Sequence, residues 1–173
     1  GKTIPVPKKE EMYKYYDSNQ YLPHVLNKKN LTTTLYSLVK KYMHRKKLRW
    51  MRRHLKHNLS VLDYGCGAGD FVRYLRGKSV TAYGYDPNIK FNIGESTFLT
   101  NKPIWGKNKY DIIFLWHVLE HTHNPFILFQ SLKKSLKKNG KIFIAIPNFK
   151  SFDSKYYGKY WAGYDLPRHL WHF

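Results

Sequence analysis

The chain has 173 residues and carries 31 Lys and Arg against 11 Asp and Glu, a formal net charge of +20 at pH 7. This length suits one domain with a sizeable core, and the sequence has no run of about 18 apolar residues that would predict a membrane-spanning helix. The opening Gly1-Lys2-Thr3-Ile4-Pro5 lacks the apolar stretch of a secretory leader, and the one cysteine, Cys66, excludes an internal disulfide, so a cytoplasmic location is expected.

Residues 1–24 are polar and aromatic, with Tyr13, Tyr15, Tyr16, Tyr21 and His24. Residues 31–57 predict a helix, because Leu31, Leu35, Leu38, Tyr42, Leu48, Met51 and Leu55 recur at three- and four-residue steps. Trp50 belongs on its apolar side or at a substrate edge, and Asn58 is a plausible stop. The other faces carry Lys40, Lys41, Arg45, Lys46, Lys47, Arg49, Arg52, Arg53 and Lys56. Such density attracts nucleic acid, anionic headgroups at a membrane surface or a phosphorylated substrate; a solvated helix face is the plain alternative.

The next segment carries the most information. In Val61-Leu62-Asp63-Tyr64-Gly65-Cys66-Gly67-Ala68-Gly69-Asp70-Phe71 an apolar run ends in an acid, three glycines alternate, and a helical pattern begins. This is a strand feeding a tight turn into a helix of about 70–76, the nucleotide-binding corner of an α/β fold. Cys66 reads as a small residue filling the loop. A second strand, about 80–85, ends at Asp86, 21 positions after Gly65 (86 − 65). From there a carboxylate can hold ribose hydroxyls. The glycine spacing is Gly-x-Gly-x-Gly rather than Gly-x-Gly-x-x-Gly. Asp70 at the helix start would repel a pyrophosphate, and no Gly-Lys-Ser/Thr follows. Asp63 and Asp70 suit a ligand with positive charge, a ribose and no phosphate, and S-adenosylmethionine has all three properties.

Further along, a weak third strand is expected near Ser96–Leu99, with little or no helix before it, because only about 24 residues, including Pro87, Gly94, Pro103 and Gly106, separate Asp86 from Asp111. A fourth strand is expected at about 111–115, a helix at about 125–137 and a fifth strand at about 141–146. Lys137-Lys138-Asn139-Gly140 would end the helix, with Gly140 in the left-handed cap. Repeated strand–helix–strand units imply a parallel sheet with right-handed crossovers. His117, Glu120 and His121 form a His-x-x-Glu-His pattern similar to an inverted zinc-peptidase motif. They follow a buried strand and a glycine loop rather than lying mid-helix, so no resident metal is expected, although a divalent ion could aid a hydroxyl acceptor.

Residues 59–149 resemble class I S-adenosylmethionine-dependent methyltransferases. Tyr110 to His121 is similar to that family's fourth strand and following loop, and Leu136 to Asn148 to its helix end, glycine turn and fifth strand. Trp161, Asp165, Pro167, Arg168, His169, Leu170, His172 and Phe173 resemble a subgroup that includes methyltransferases of cell-surface polysaccharide gene clusters and is related to ubiquinone-pathway O-methyltransferases. The resemblance implies a Rossmann-like doubly wound α/β sheet lacking the last two strands, with an N-terminal helical extension. Residues 1–58 would form the lead-in and basic helix, and 59–173 a C-terminally truncated core whose fifth strand offers an edge for oligomerisation.

The resemblance also implies roles. Asp63, Gly65, Cys66, Gly67, Gly69, Phe71, Tyr85, Asp86, Pro87, Trp116 and His117 would bind S-adenosylmethionine. His121 and His169 are candidate bases, and Arg168 could hold a substrate anion. The acceptor would be a small molecule such as a sugar or glycan precursor, methylated on oxygen. An RNA acceptor and a non-catalytic cofactor-binding scaffold are the alternatives. The Asn/Asp-Pro-Pro-Tyr/Phe motif of many base methyltransferases is replaced by Trp116-His117-Val118-Leu119, which disfavours the first.

Overall fold

A computed structural model of the chain describes residues 1–16, 31–53, 58–91, 93–103 and 106–173. Tyr21, His24, Leu55 and Lys56 lie outside them. Four α-helices are described: α1 (Leu31–Arg52), α2 (Asp70–Arg76), α3 (Pro125–Ser135) and α4 (Phe152–Tyr157). Five strands, β1 (Ser60–Tyr64), β2 (Thr81–Tyr85), β3 (Leu99–Thr100), β4 (Tyr110–Trp116) and β5 (Leu136–Ala145), form one parallel sheet in the order β3-β2-β1-β4-β5.

Strands covered on both faces must be apolar along their whole length. Val61, Leu62 and Asp63 of β1 are all buried, as are Ile112 to Leu115 of β4. Val61, Ile112 and Phe114 pack with Leu48 and Met51 of α1 and Phe71, Val72 and Leu75 of α2. Leu62, Ile113 and Leu115 face the other way, toward Leu128 and Leu132 of α3. The alternation of side chains along each strand therefore gives the sheet two cores. Asn124 starts α3 as its cap, accepting from the Ile127 N–H at 3.0 Å, with Pro125 in the first turn.

Several elements differ from the sequence expectation. Helix α1 ends at Arg52 rather than near residue 57, with Arg53 already in a turn. The third strand is two residues long and begins at Leu99, because Ser96 to Phe98 form a turn closed by the Phe98 N–H on the Glu95 carbonyl at 3.0 Å. Helix α3 ends at Ser135 rather than near residue 137, since Leu136 is already extended and pairs with Tyr110. The residues that follow bulge out before Lys141 rejoins Ile112, and Lys137 reaches back to Asp111 at 2.7 Å. Asn139, not Gly140, takes the left-handed backbone, at φ +67°. Gly140 serves close approach instead: a Cβ there would lie 3.0 Å from the Lys137 carbonyl oxygen and 3.1 Å from that of Asp111.

The two ends of the chain meet. Lys2 bridges Trp171 antiparallel, and the Thr3 N–H donates to the Leu170 carbonyl at 3.0 Å. Leu170 is itself fully buried and donates its N–H to the Glu120 carbonyl at 2.6 Å. Residues 161–173 are thereby seated against the loop that follows β4. On the other side of that strand, Ile144 of β5 is 41% exposed.

Gly84 in β2 lies where three elements converge. A Cβ there would come within 2.8 Å of Cys66 Sγ and of Leu99 Cδ2 and 2.9 Å of Val72 Cγ2. Gly84→Ala should cost about 1–3 kcal/mol by overpacking, measured as a shift of the urea midpoint at constant slope. An unchanged midpoint would show that the Cys66, Val72 and Leu99 side chains do not close on this strand.

Candidate functional site

The chain leaves β1 at the carboxyl end of the sheet and turns through Gly65, Gly67 and Gly69, at φ +78°, +54° and +78°. Gly65 needs to be glycine because a side chain would collide with Val118 Cγ2 from the loop after β4. The Gly65 and Cys66 N–H groups both donate to the Tyr85 carbonyl, at 2.7 and 3.0 Å, tying the loop to the end of β2. Asp86 completes the clamp: one carboxylate oxygen accepts from the Gly67 N–H at 3.0 Å and the other from the Asn88 N–H at 2.9 Å. Burial raises the Asp86 pKa, and these two backbone donors oppose the rise.

The other predicted loop residues surround this clamp. Tyr85 is buried with its ring 4.6 Å from that of Tyr64, and Pro87 is exposed. Burial pushes the Cys66 thiol up, so it is held as a thiol, and its sulfur fills the space beside Gly84. Asp70, in the first turn of α2, pairs with Lys40 and lies 3.8 Å from Arg73.

Asp63 lies below the loop, on the sheet face it shares with Phe114 and Trp116. It is 5% exposed, and burial raises its pKa to about 6, opposed by the charge of Lys47. Lys47 comes from α1, with Nζ 4.2 Å from the centre of the Trp116 ring and 5.0 Å from that of Phe71. Phe71 is a core residue, 4% exposed and edge-on to Phe114 at 5.4 Å. Trp116 is stacked on Trp50 and on Phe114, each at 6.0 Å, which puts Trp50 on the apolar side of its helix.

A second group of side chains follows β4. His117 takes φ +54°, with Nδ1 3.3 Å from Glu120 Oε1. Glu120 is fully buried, and its Oε2 has no hydrogen-bond partner among the described residues. His121 and His169, far apart in sequence, meet edge to face at 4.6 Å. His121 Nδ1 is 3.1 Å from the Arg168 carbonyl oxygen and 3.0 Å from the Tyr16 hydroxyl. A carbonyl only accepts, so Nδ1 carries a proton, and in the neutral ring Nε2 keeps the lone pair. Burial, then the charge of His169, lowers the His121 pKa. His169 Nδ1 likewise donates to the Gly163 carbonyl at 2.8 Å. Glu120, His121 and His169 each place one ligand atom within 4.8 Å of the others, so this group could also hold a cation. The Arg168 guanidinium is turned to Asp165, at 3.0 Å from Nε and 2.5 Å from Nη2.

Residues 38–173 match the family described as a methyltransferase domain. The chain belongs to that family. The cofactor of this domain is S-adenosylmethionine. Among curated proteins, the chain is similar to the ubiquinone biosynthesis O-methyltransferase of Glaesserella parasuis serovar 5 (strain SH0165), 33% identical over 106 residues that cover 51% of this chain and 45% of that one. It is also similar to the tRNA U34 carboxymethyltransferase of Campylobacter jejuni (strain RM1221), 28% identical over 99 residues, or 49% and 34% of the two chains. Among solved structures, an S-adenosylmethionine-dependent methyltransferase from Archaeoglobus fulgidus shares the fold, with a TM-score of 0.54 at 22% identity over 76% of this chain and 62% of that one. The chain spans less than half the length of these curated relatives.

The methyltransferase domain's loop fits its cofactor. A carboxylate offers about four lone-pair sites, and Asp86 uses two of them on backbone N–H groups, leaving two for a diol. Among the described residues, a Cβ on Gly67 would meet nothing within 4 Å, so none of them closes over the loop at that point. Sequence reasoning counted Lys47 only as one of a basic group, and it named Asp165 without foreseeing that it holds Arg168. Four other members of that group, Arg45, Arg49, Arg52 and Arg53, line a cavity of about 400 Å³ with Leu48 and Tyr74.

The two glycines can be told apart by substitution. Gly67→Ala should cost only the left-handed backbone penalty, about 1–2 kcal/mol. Gly65→Ala should add a further ~1–3 kcal/mol by displacing Val118. Thermal melts of both variants check this; equal melting temperatures would contradict the contact between the two loops.

Proposed function

We propose that the protein transfers the methyl group of S-adenosylmethionine to a hydroxyl oxygen of a small acceptor. The observation that carries this reading is His121, whose Nδ1 is turned to the Arg168 carbonyl and whose pKa burial lowers, so that Nε2 is the basic nitrogen next to the loop that packs on Gly65. When bound, the cofactor supplies an electrophilic methyl group on a sulfonium. What remains for the chain is to bring the acceptor oxygen in line with that methyl and to remove its proton. Asp86 would hold the ribose diol, and the Gly65–Gly69 turn lets the backbone approach the ligand. His121 Nε2 would take the hydroxyl proton as the oxygen–carbon bond forms. The Arg168 carbonyl and Tyr16 hold that ring in place. Glu120 stands behind it, able to balance the charge it gains.

The favoured acceptor is a sugar or glycan precursor. Support comes from the resemblance of residues 161–173 to the polysaccharide-cluster subgroup and from an exposed aromatic surface at Phe152, Tyr156, Tyr157 and Tyr160, the kind of patch that marks a binding site. The arginine-lined cavity favours a second reading, an RNA acceptor bound through phosphates.

Transfer of radiolabelled methyl to a panel of sugar nucleotides, phenols, amines and transfer RNA tests both readings. The expected result is labelling of a hydroxyl compound, lowered about 10²–10⁴-fold in kcat by His121→Ala, with cofactor affinity retained. Labelling of RNA alone would replace the small-molecule reading. Cofactor binding without turnover on any acceptor would favour a scaffold. Loss of activity on chelation and its recovery with Mn²⁺ would turn the Glu120–His121–His169 group from a base into a cation site.

A further inference from the structure

Lysine supplies most of the positive charge of this chain; only seven of its 31 Lys and Arg residues are arginine. Three of the seven are tied down within the fold: Arg73 on Glu95, Arg76 on the Ala82 carbonyl at 3.1 Å, and Arg168 on Asp165. The other four, Arg45, Arg49, Arg52 and Arg53, line one cavity of about 400 Å³ with Leu48 and Tyr74. That lining holds no Asp or Glu, and among the described residues none of the four guanidiniums has a hydrogen-bond or ion-pair partner. Like charges drawn to one cavity repel one another. The negative end of the α1 dipole favours cations in the last turn, where Arg49 and Arg52 lie. It accounts neither for Arg45, two turns before the end, nor for arginine in a lysine-rich chain. What arginine adds is a rigid fork that meets two phosphate oxygens at once.

The cavity is separate from the crevice at the strand ends. Arg45, Arg49 and Arg52 stand at i, i+4 and i+7, one stripe along α1, and Tyr74 of α2 lies beside them. Tyr74 is fixed by other rings, stacked on Phe71 at 6.4 Å and tilted against His44 at 5.3 Å. Lys47 and Trp50 leave the same helix on other flanks, toward Trp116 at the end of β4. S-Adenosylmethionine carries no phosphate, so the cofactor has no use for these forks.

We propose that this cavity is a second ligand site, one that takes the linked phosphates of a compact di- or triphosphate. The inference goes beyond the methyl-transfer reading and does not rest on it. A single phosphate brings a charge of about −2 at pH 7, half of what the four guanidiniums present, whereas two or three linked phosphates match them. The volume is at the lower end of small-ligand pockets. A nucleic-acid strand instead needs cations strung along a groove, and here they converge.

Calorimetry on the full chain with inorganic tripolyphosphate, at fixed ionic strength, tests this. One tripolyphosphate should bind per chain, at least about tenfold tighter than orthophosphate. Arg49→Gln should weaken it about 10- to 100-fold, the size of a lost hydrogen bond to a charged group. Arg49→Lys, which keeps the charge and loses the fork, should recover only part of that. Lys133→Gln removes the same charge from α3, on the other side of the sheet, and should change nothing. Equal weakening by Lys133→Gln, or several tripolyphosphates per chain, would reduce the effect to diffuse charge and overturn the proposal. No binding of tripolyphosphate would overturn it as well. If a short single-stranded RNA bound and tripolyphosphate did not displace it from the arginines, they would serve a nucleic-acid strand and the compact ligand would be excluded. Saturation with S-adenosylhomocysteine should leave tripolyphosphate binding intact; competition between the two would place the phosphates in the cofactor crevice and contradict a second site.

Discussion

β1 is buried on both faces between two parallel neighbours, and this constraint shapes the functional end of the molecule. A strand enclosed in this way can be left only at its end. The chain must then turn sharply to reach α2 without striking β2 or β4. Three left-handed glycines make the turn possible, and the loops from both neighbouring strands close on it. Tyr85 and Asp86 at the end of β2 bind its N–H groups, and Val118 after β4 fills the space that Gly65 leaves empty. The backbone hydrogen bonds that the turn cannot make internally are therefore made to the adjacent strand ends, as any buried backbone requires.

The same constraint divides the chemistry in two. The odd-numbered residues of β1 look toward α1 and α2, and there the last of them, Asp63, is under the charge of Lys47. After β4 the chain turns again at His117, and Glu120, His121 and the returning residues 165–170 assemble a second polar group. Strand order brings these groups close: β1 and β4 are neighbours, although their connections depart to opposite faces. This is the crevice where parallel α/β sheets place their ligands. One side carries opposed charges, and the other carries a neutral imidazole with a free lone pair. That pairing suits a donor bearing charge at one end and an acceptor that must lose a proton.

Much of this was legible in the residues. Apolar runs mark β1, β2, β4 and β5 because both faces of each central strand are covered. The glycine loop and Asp86 are visible because local backbone chemistry dictates them. What depends on distant parts of the chain was not legible. Lys47 looks like its eight basic neighbours until the fold shows which one points inward. Nothing local reveals that His121 and His169 touch, or that the Tyr16 hydroxyl sits on the same ring. The turn at Asn139 was misplaced by one residue, since glycine is the better left-handed residue in isolation. Here Gly140 is needed more for the narrow gap beside the Asp111 carbonyl.

The central claim is that the cofactor lies over the Gly65–Gly69 turn between Asp86 and Trp116. The most direct measurement is a titration of ¹⁵N-labelled protein with S-adenosylhomocysteine, followed by amide and indole resonances. The account predicts saturable shifts at Gly65, Gly67, Gly69, Asp86 and Asn88 and at the Trp116 indole, with β5 and the outer arginines of α1 unmoved. Saturable shifts confined to those arginines, or no shifts at the turn, would contradict it.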